Sequence, residues 1–147
     1  MHRELKKALE YAVRKEREAE AFYKKWAAVA QNPAVVALFA ELAATERGHV
    51  EMLSRVAPSE VIASLTEGSK DLGLSDLLTE IEASKGMSIQ EAMILAMKRE
   101  EASAALYDKL AQLRGEAQSL FEALAKEERK HKRQLEAEYD EQILTEN

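Results

Sequence analysis

The chain has 147 residues with only 5 Gly and 2 Pro, so turn signals are scarce and one helical domain over residues 1–147 is expected. Its composition, 46% hydrophobic and 33% charged, suits a folded globular core, and its net charge of −6 argues against nucleic acid or an anionic membrane as partner. The absence of Cys excludes disulfides, thiolate nucleophiles and Cys-ligated clusters. Any metal must therefore be held by His and carboxylate groups.

The first ten residues mix charged and apolar side chains and lack the apolar core of a signal peptide. No apolar run approaches the roughly 18 residues that a membrane span needs. We therefore expect a cytoplasmic protein that does not enter a membrane.

The first predicted helix covers Leu5 to Ala30, where apolar residues recur at steps of three and four. Asn32 is a suitable N-cap and Pro33 suits the first position of a second helix. That helix must end by Pro58, because proline cannot continue a helix.

Residues 59–85 contain two Gly and several Ser, and we interpret them as a connection holding one short helix. Ser88 and Glu91 form a capping box that predicts a third long helix, running to about Leu113 before Gly115. A fourth helix is expected from Glu116 to about Tyr139, with residues 145–147 frayed. Four helices joined by short, long and short connections predict an all-α four-helix bundle with one long crossover.

The two halves of the chain repeat each other. Glu16 and Tyr23 return as Glu100 and Tyr107 at one offset, since 100 − 16 and 107 − 23 both equal 84. The segment from Phe39 to His49 returns at an offset of 82, with matching Phe, Leu, Ala, Glu, Arg and His positions. The chain is therefore interpreted as two copies of one helical hairpin.

Six ionisable residues interrupt the apolar stripes of the predicted helices: Glu16, Glu46, His49, Glu100, Glu128 and His131. Within the first hairpin, the Glu and the Glu-x-x-His lie at similar heights, about 23 Å along each helix from the turn at 1.5 Å per residue. Uncompensated burial of four carboxylates would cost several kcal/mol per charge. Two divalent metal ions supply the compensation, and this ligand set is typical of carboxylate bundles that bind two iron or manganese ions.

Each of these residues also has a simpler interpretation. Glu16 could be a solvated charge like Glu18 and Glu20, but the latter two map onto Ala in the repeat, whereas Glu16 maps onto Glu. A single His on an apolar face is more often a hydrogen-bonded core residue than a ligand, and here the doubled Glu-x-x-His favours metal.

Tyr23 and Tyr107 allow two interpretations, as core aromatic residues with bonded hydroxyls or as hydrogen-bond partners of ligand carboxylates across the bundle. Core packing is expected for a further set of large side chains: Trp26, Met52, Met93 and Met97.

At these positions the sequence resembles the rubrerythrin branch of the ferritin-like superfamily over nearly its whole length. The resemblance lies in Glu-x-x-Ala-x-x-x-Tyr at Glu16, Ala19 and Tyr23, in its repeat at Glu100, and in both Glu-x-x-His motifs. It implies a ferritin-like bundle that binds two metals. Glu16 and Glu100 would be terminal ligands, Glu46 and Glu128 would bridge the metals, and His49 and His131 would bind one metal each.

The sequence departs from peroxide-reducing rubrerythrins at two points. Such proteins typically carry a further Glu three residues after the ligand of the third helix, where this chain has Ser103, and a rubredoxin domain with four Cys, which this chain lacks. Ser103 is therefore a candidate neighbour of the metals, and electrons would come from Fe(II) or an external donor protein.

Three functional hypotheses follow. The first is a di-iron oxidoreductase, acting on hydrogen peroxide or O2 as a peroxidase or a ferroxidase. The second is an iron- or manganese-binding protein without real turnover, since iron and manganese both suit His and carboxylate ligands. The third is a degenerate bundle that serves only for dimerisation. A homodimer is expected.

Overall fold

The computed structural model describes residues 2–56, 86–112 and 117–146. In these ranges the chain forms four α-helices and no strands: α1 (His2–Val29), α2 (Pro33–Ser54), α3 (Ile89–Ala111) and α4 (Gln118–Glu146). The predicted all-α ferritin-like bundle is confirmed. The short helix expected within residues 59–85 and the break expected at Gly115 lie outside the described residues.

The two predicted capping signals start their helices as expected. The Asn32 side-chain oxygen accepts hydrogen bonds from the backbone N–H groups of Ala34 and Val35, at 2.8 and 3.3 Å. Before α3, the Ser88 hydroxyl accepts from the N–H of Glu91 at 3.1 Å, and the Glu91 carboxylate accepts from the N–H of Ser88 at 2.9 Å. These bonds satisfy amide donors that have no partner inside the helix.

The predicted end of the last helix is wrong. Helix α4 continues past Tyr139 to Glu146 and includes two of the three residues that were expected to fray. The sequence after Tyr139 contains no Gly or Pro. The side chain of Gln142 donates a hydrogen bond of 3.1 Å to Glu138 across one turn of the continuing helix.

Helices α1 and α2 pack along each other, as do α3 and α4, and the two hairpins meet where α1 faces α3 and α2 faces α4. Two apolar clusters fill the interior. One contains Tyr107, Phe121 and Leu124. The other contains Tyr23, Phe39 and Leu135. The expected core position of Met52 is wrong, because 36% of that residue is exposed, whereas Met93 and Trp26 are buried.

No helix in the described part of the chain has the length and apolar character that crossing a membrane requires.

Candidate metal centre

Six ionisable side chains lie inside the bundle, and none is more than 2% exposed: Glu16, Glu46, His49, Glu100, Glu128 and His131. Each of the four helices contributes, because the Glu and His residues occupy core-facing positions at helical spacing. These are all the residues that the sequence analysis selected as metal ligands, and the structure brings them together in the interior.

His49 lies between two carboxylates from different hairpins. Its Nδ1 atom is 2.8 Å from Oε2 of Glu16 and 2.8 Å from Oε1 of Glu128. Glu46, one turn earlier on the same helix, has its Oε1 at 3.8 Å from the same nitrogen. One imidazole nitrogen therefore faces three carboxylates.

His131 has the corresponding surroundings in the second hairpin. Its Nδ1 atom is 3.0 Å from Oε1 of Glu46 and 3.3 Å from Oε2 of Glu100. The rings of His49 and His131 are nearly parallel, with centroids 5.8 Å apart and an interplanar angle of 14°. The two halves of the site thus follow the repeat seen in the sequence.

The ligand atoms form two overlapping groups in which all atoms lie within 4.8 Å of one another. One group is Glu16, Glu46, His49 and Glu128, and the other is Glu46, Glu100, Glu128 and His131. Glu46 and Glu128 belong to both groups. Two four-residue groups that share two carboxylates have the arrangement that a pair of metal ions with bridging carboxylates requires.

Two buried oxygens at the centre lack hydrogen bonds. Oε1 of Glu46 lies 3.0 Å from Nδ1 of His131, and Oε1 of Glu128 lies 2.8 Å from Nδ1 of His49, but neither oxygen has a hydrogen-bond partner. Buried polar atoms are normally satisfied, so an atom left open in the interior needs a partner. Carboxylate oxygens and imidazole nitrogens suit iron and manganese, so the residues fit a pair of such ions.

The metal-free site favours bound protons. Burial, and then the charge of Glu100, raises the pKa of Glu46 to about 7, although His131 opposes the rise. Burial also raises the pKa values of Glu16 and Glu128 well above the usual value, with neighbouring carboxylates adding to the effect. Burial acts to lower the pKa of His131, but its contacts with Glu100 and Glu46 outweigh this and raise it to about 10.

Both tyrosines are affected by carboxylates of the opposite hairpin. The Tyr23 hydroxyl donates a hydrogen bond of 2.9 Å to Oε1 of Glu100, and the charge of Glu16 acts on the Tyr107 hydroxyl. Each tyrosine is a core residue with 1% exposure, so for Tyr23 both interpretations left open by the sequence apply together. Burial, followed by the nearby carboxylates, raises the pKa of both hydroxyls, which therefore keep their protons.

A pocket between α1 and α3 reaches three of the site's carboxylates and the ring of Tyr107. Its walls include several small residues, among them Ser103, which is half-buried there. Lys15 and Arg99 also line it. The sequence analysis did not select these two cations, although the repeat relates them, since 99 − 15 equals 84 and each directly precedes an inward Glu.

The sequence model of the rubrerythrin family matches residues 7–139. The chain belongs to the rubrerythrin family. The match covers α2, α3 and most of α1 and α4, and it includes all six clustered side chains. Comparison with curated proteins and with solved structures gave no match.

Proposed function

We propose that the chain is a di-iron oxidoreductase that reduces hydrogen peroxide or O2. The observation that carries the proposal is the pair of overlapping buried groups that share Glu46 and Glu128 and lie at the inner end of a pocket. When bound, two iron ions would supply electrons to the oxidant by passing between the ferrous and ferric states.

Each residue of the site has a proposed role. Glu46 and Glu128 would hold both ions because both residues belong to both groups. Glu16 and His49 would complete the binding of one ion, and Glu100 and His131 that of the other. This pairing follows the short contacts on each histidine nitrogen. Four carboxylates carry four negative charges, which two dications balance.

The neighbouring residues hold the carboxylates and shape the approach of the oxidant. Tyr23 fixes the carboxylate of Glu100 by a hydrogen bond. The small side chains of Ala19, Ala102 and Ser103 leave the pocket open toward the carboxylates. A molecule as small as peroxide can use such an opening, while the apolar clusters on either side of the site limit access by water.

The electrons come from outside the chain. Reduction of hydrogen peroxide to two waters consumes two electrons and two protons, and a chain without Cys has no thiol or iron–sulfur cluster to provide the electrons. The donor is therefore Fe(II) or a separate redox protein. We also propose cytoplasmic location and a homodimer, as the sequence analysis predicts.

One observation favours a second candidate, an iron- or manganese-binding protein with little turnover. The pocket position where peroxide-reducing relatives carry a further Glu is occupied by Ser103, whose short side chain offers no carboxylate. A site limited to six ligands could still bind two ions.

One experiment separates these functions. The chain is loaded with Fe(II) without oxygen and then mixed separately with O2 and with hydrogen peroxide, while ferric absorbance and peroxide consumption are recorded. Rapid oxidation that repeats when reductant is added is expected for the oxidoreductase. Binding of two ions with negligible oxidation would favour the second candidate, and absence of stoichiometric binding would contradict both.

A further inference from the structure

A row of aromatic side chains leads from the candidate site toward the end of the bundle where α1 turns into α2. The ring centroid of Tyr23, whose hydroxyl contacts Glu100, is 5.6 Å from that of Phe22. The ring of Phe22 is in turn 6.2 Å from that of Trp26. Tyr23 is 1% exposed and Trp26 is 7% exposed, so the row begins at a site carboxylate and ends nearer the surface.

The second hairpin lacks this row. The offset of 84 places Leu106 at the position of Phe22 and Leu110 at the position of Trp26, while Tyr107 matches Tyr23. Both leucines are buried in the core. Packing at these positions is thus satisfied by aliphatic side chains, so packing alone does not explain the aromatic pair of the first hairpin.

Two side chains of the row, Tyr23 and Trp26, are suited to one-electron transfer. Tyrosine and tryptophan are the side chains from which one electron is most easily removed, and electron transfer slows steeply with distance. Trp26 lies ten residues beyond Glu16, about 15 Å along the helix. Tyr23 and Trp26 lie one turn apart on the same face, and Phe22 contacts both. An electron can therefore move from Trp26 to Tyr23 and then from Tyr23 to the site, in two short steps instead of one long step.

Charged groups hold the rings of the row in place. The guanidinium carbon of Arg99 lies 4.9 Å from the centroid of Phe22, and Nζ of Lys25 lies 5.7 Å from the ring of Trp26. Such cation–π contacts fix ring positions. Lys25 is exposed, so the outer end of the row borders the protein surface.

We propose that Trp26 and Tyr23 form a one-electron path by which an external donor supplies the candidate metal centre. The destination of the electrons rests on the proposed function, in which peroxide or O2 is their final acceptor. When Tyr23 gives one electron to the candidate centre after peroxide or O2 has oxidised that centre, the hydroxyl proton of Tyr23 passes to Oε1 of Glu100. Trp26 then gives one electron to Tyr23, the proton returns from Glu100, and the indole N–H proton goes to water. A one-electron donor at the surface restores Trp26, which regains its proton from water.

The path can be tested by light-driven oxidation, because Trp26 is the single tryptophan of the chain and only four tyrosines are present. A soluble photo-oxidant removes one electron from Trp26 in the full chain, with and without Zn²⁺, which has no redox chemistry of its own. Transient absorption and electron paramagnetic resonance then follow the tryptophan and tyrosyl radicals. A tyrosyl signal that grows as the tryptophan signal decays is expected. This growth moves one electron from Tyr23 to Trp26, the reverse of the proposed step, and so measures whether the two side chains exchange an electron.

Variants assign that growth to Tyr23. Tyr23→Phe should lose it and lengthen the life of the tryptophan radical, Phe22→Leu should slow it, and Tyr107→Phe should leave it unchanged. A chain that keeps Tyr23 as its only tyrosine should retain it, which covers the case in which Tyr23→Phe fails to fold.

The path would be overturned if the tyrosyl signal still grew in folded Tyr23→Phe, or if it failed to grow in the chain that keeps Tyr23 as its only tyrosine. Growth retained in a chain that binds no Zn²⁺ would support the electron exchange and count against only the proposed metal site. The test therefore distinguishes failure of the path from failure of the proposed function.

Discussion

Tyr23 of the first hairpin donates a hydrogen bond of 2.9 Å to Glu100 of the second, so a candidate ligand of one half is held by the other half. This bond crosses the bundle and ties the hairpins together at the level of the site.

Tyr23→Phe should weaken both the fold and metal binding. The change leaves Oε1 of Glu100 buried without its donor, which costs about 1–3 kcal/mol. Loss of a hydrogen bond to a ligand should lower metal affinity by about 10- to 100-fold. Urea unfolding and a competition assay with a chelator measure the two effects. Tyr139→Phe, which changes a half-buried tyrosine away from the carboxylates, is the control and should change neither property.

Substitution of a shared carboxylate should affect both ions, and substitution of a terminal one should affect one. Glu46→Gln removes a ligand from both groups, whereas Glu16→Gln removes a ligand from only one. We expect severe loss of both ions in the first variant and retention of one ion in the second, measured by metal analysis after gel filtration. The exposed Glu18→Gln is the control and should keep both. Equal behaviour of Glu46→Gln and Glu18→Gln would refute the ligand assignment.

The metal-free chain should lose stability as the pH rises. Glu46 has a pKa of about 7 in the folded chain against an ordinary value of 4.5. Protonation of Glu46 therefore stabilises the folded chain, and this stabilisation is lost as the pH rises from 4.5 to about 7. His131 has a folded pKa of about 10 against 6.5, and its contribution is lost between those two values. Melting temperature recorded from mildly acidic to alkaline pH should therefore fall. A rising curve would contradict the buried protons.

Metal should stabilise the chain more at neutral than at mildly acidic pH. Bound ions displace the protons held by the carboxylates and His131, so their binding competes with protonation. Paired melting curves with and without Mn²⁺ at the two pH values measure the difference. Identical shifts at both values would mean that binding releases no protons from these groups.

Closing the pocket should slow oxidation without removing metal. Ser103→Leu places a larger side chain in the pocket wall and changes none of the six clustered residues. The expected result is slower oxidation of bound Fe(II) by peroxide with an unchanged number of bound ions. Ser119→Leu adds the same bulk at an exposed position of α4 and is the control. An unchanged rate in Ser103→Leu would exclude this pocket as the entry route.

Local signals predicted much of the fold. Asn32 and Ser88 start their helices where expected, because a side-chain cap depends on neighbours in sequence. The end of α4 was missed because no residue after Tyr139 interrupts helical geometry. Met52 was expected in the core, but its neighbour Leu53 takes the buried position near the end of α2, and Met52 is exposed.

The candidate site could be predicted because the repeat distinguishes Glu16 from its charged neighbours. The partners of the tyrosines could only be named as a class, since the choice between Glu100 and other carboxylates depends on how the two hairpins pack. The pocket lined by Lys15 and Arg99 depends on the same packing. The repeat relates these two residues but gives no sign that they line one opening.

The most direct test of the di-metal centre is an anaerobic titration of the metal-free chain with Fe(II), in which bound iron is counted per chain. The structure contains two overlapping buried groups, and each offers four ligand residues to one ion. Saturation at two Fe(II) per chain is the result that this account predicts. Saturation at one ion, or no saturable binding, would contradict it.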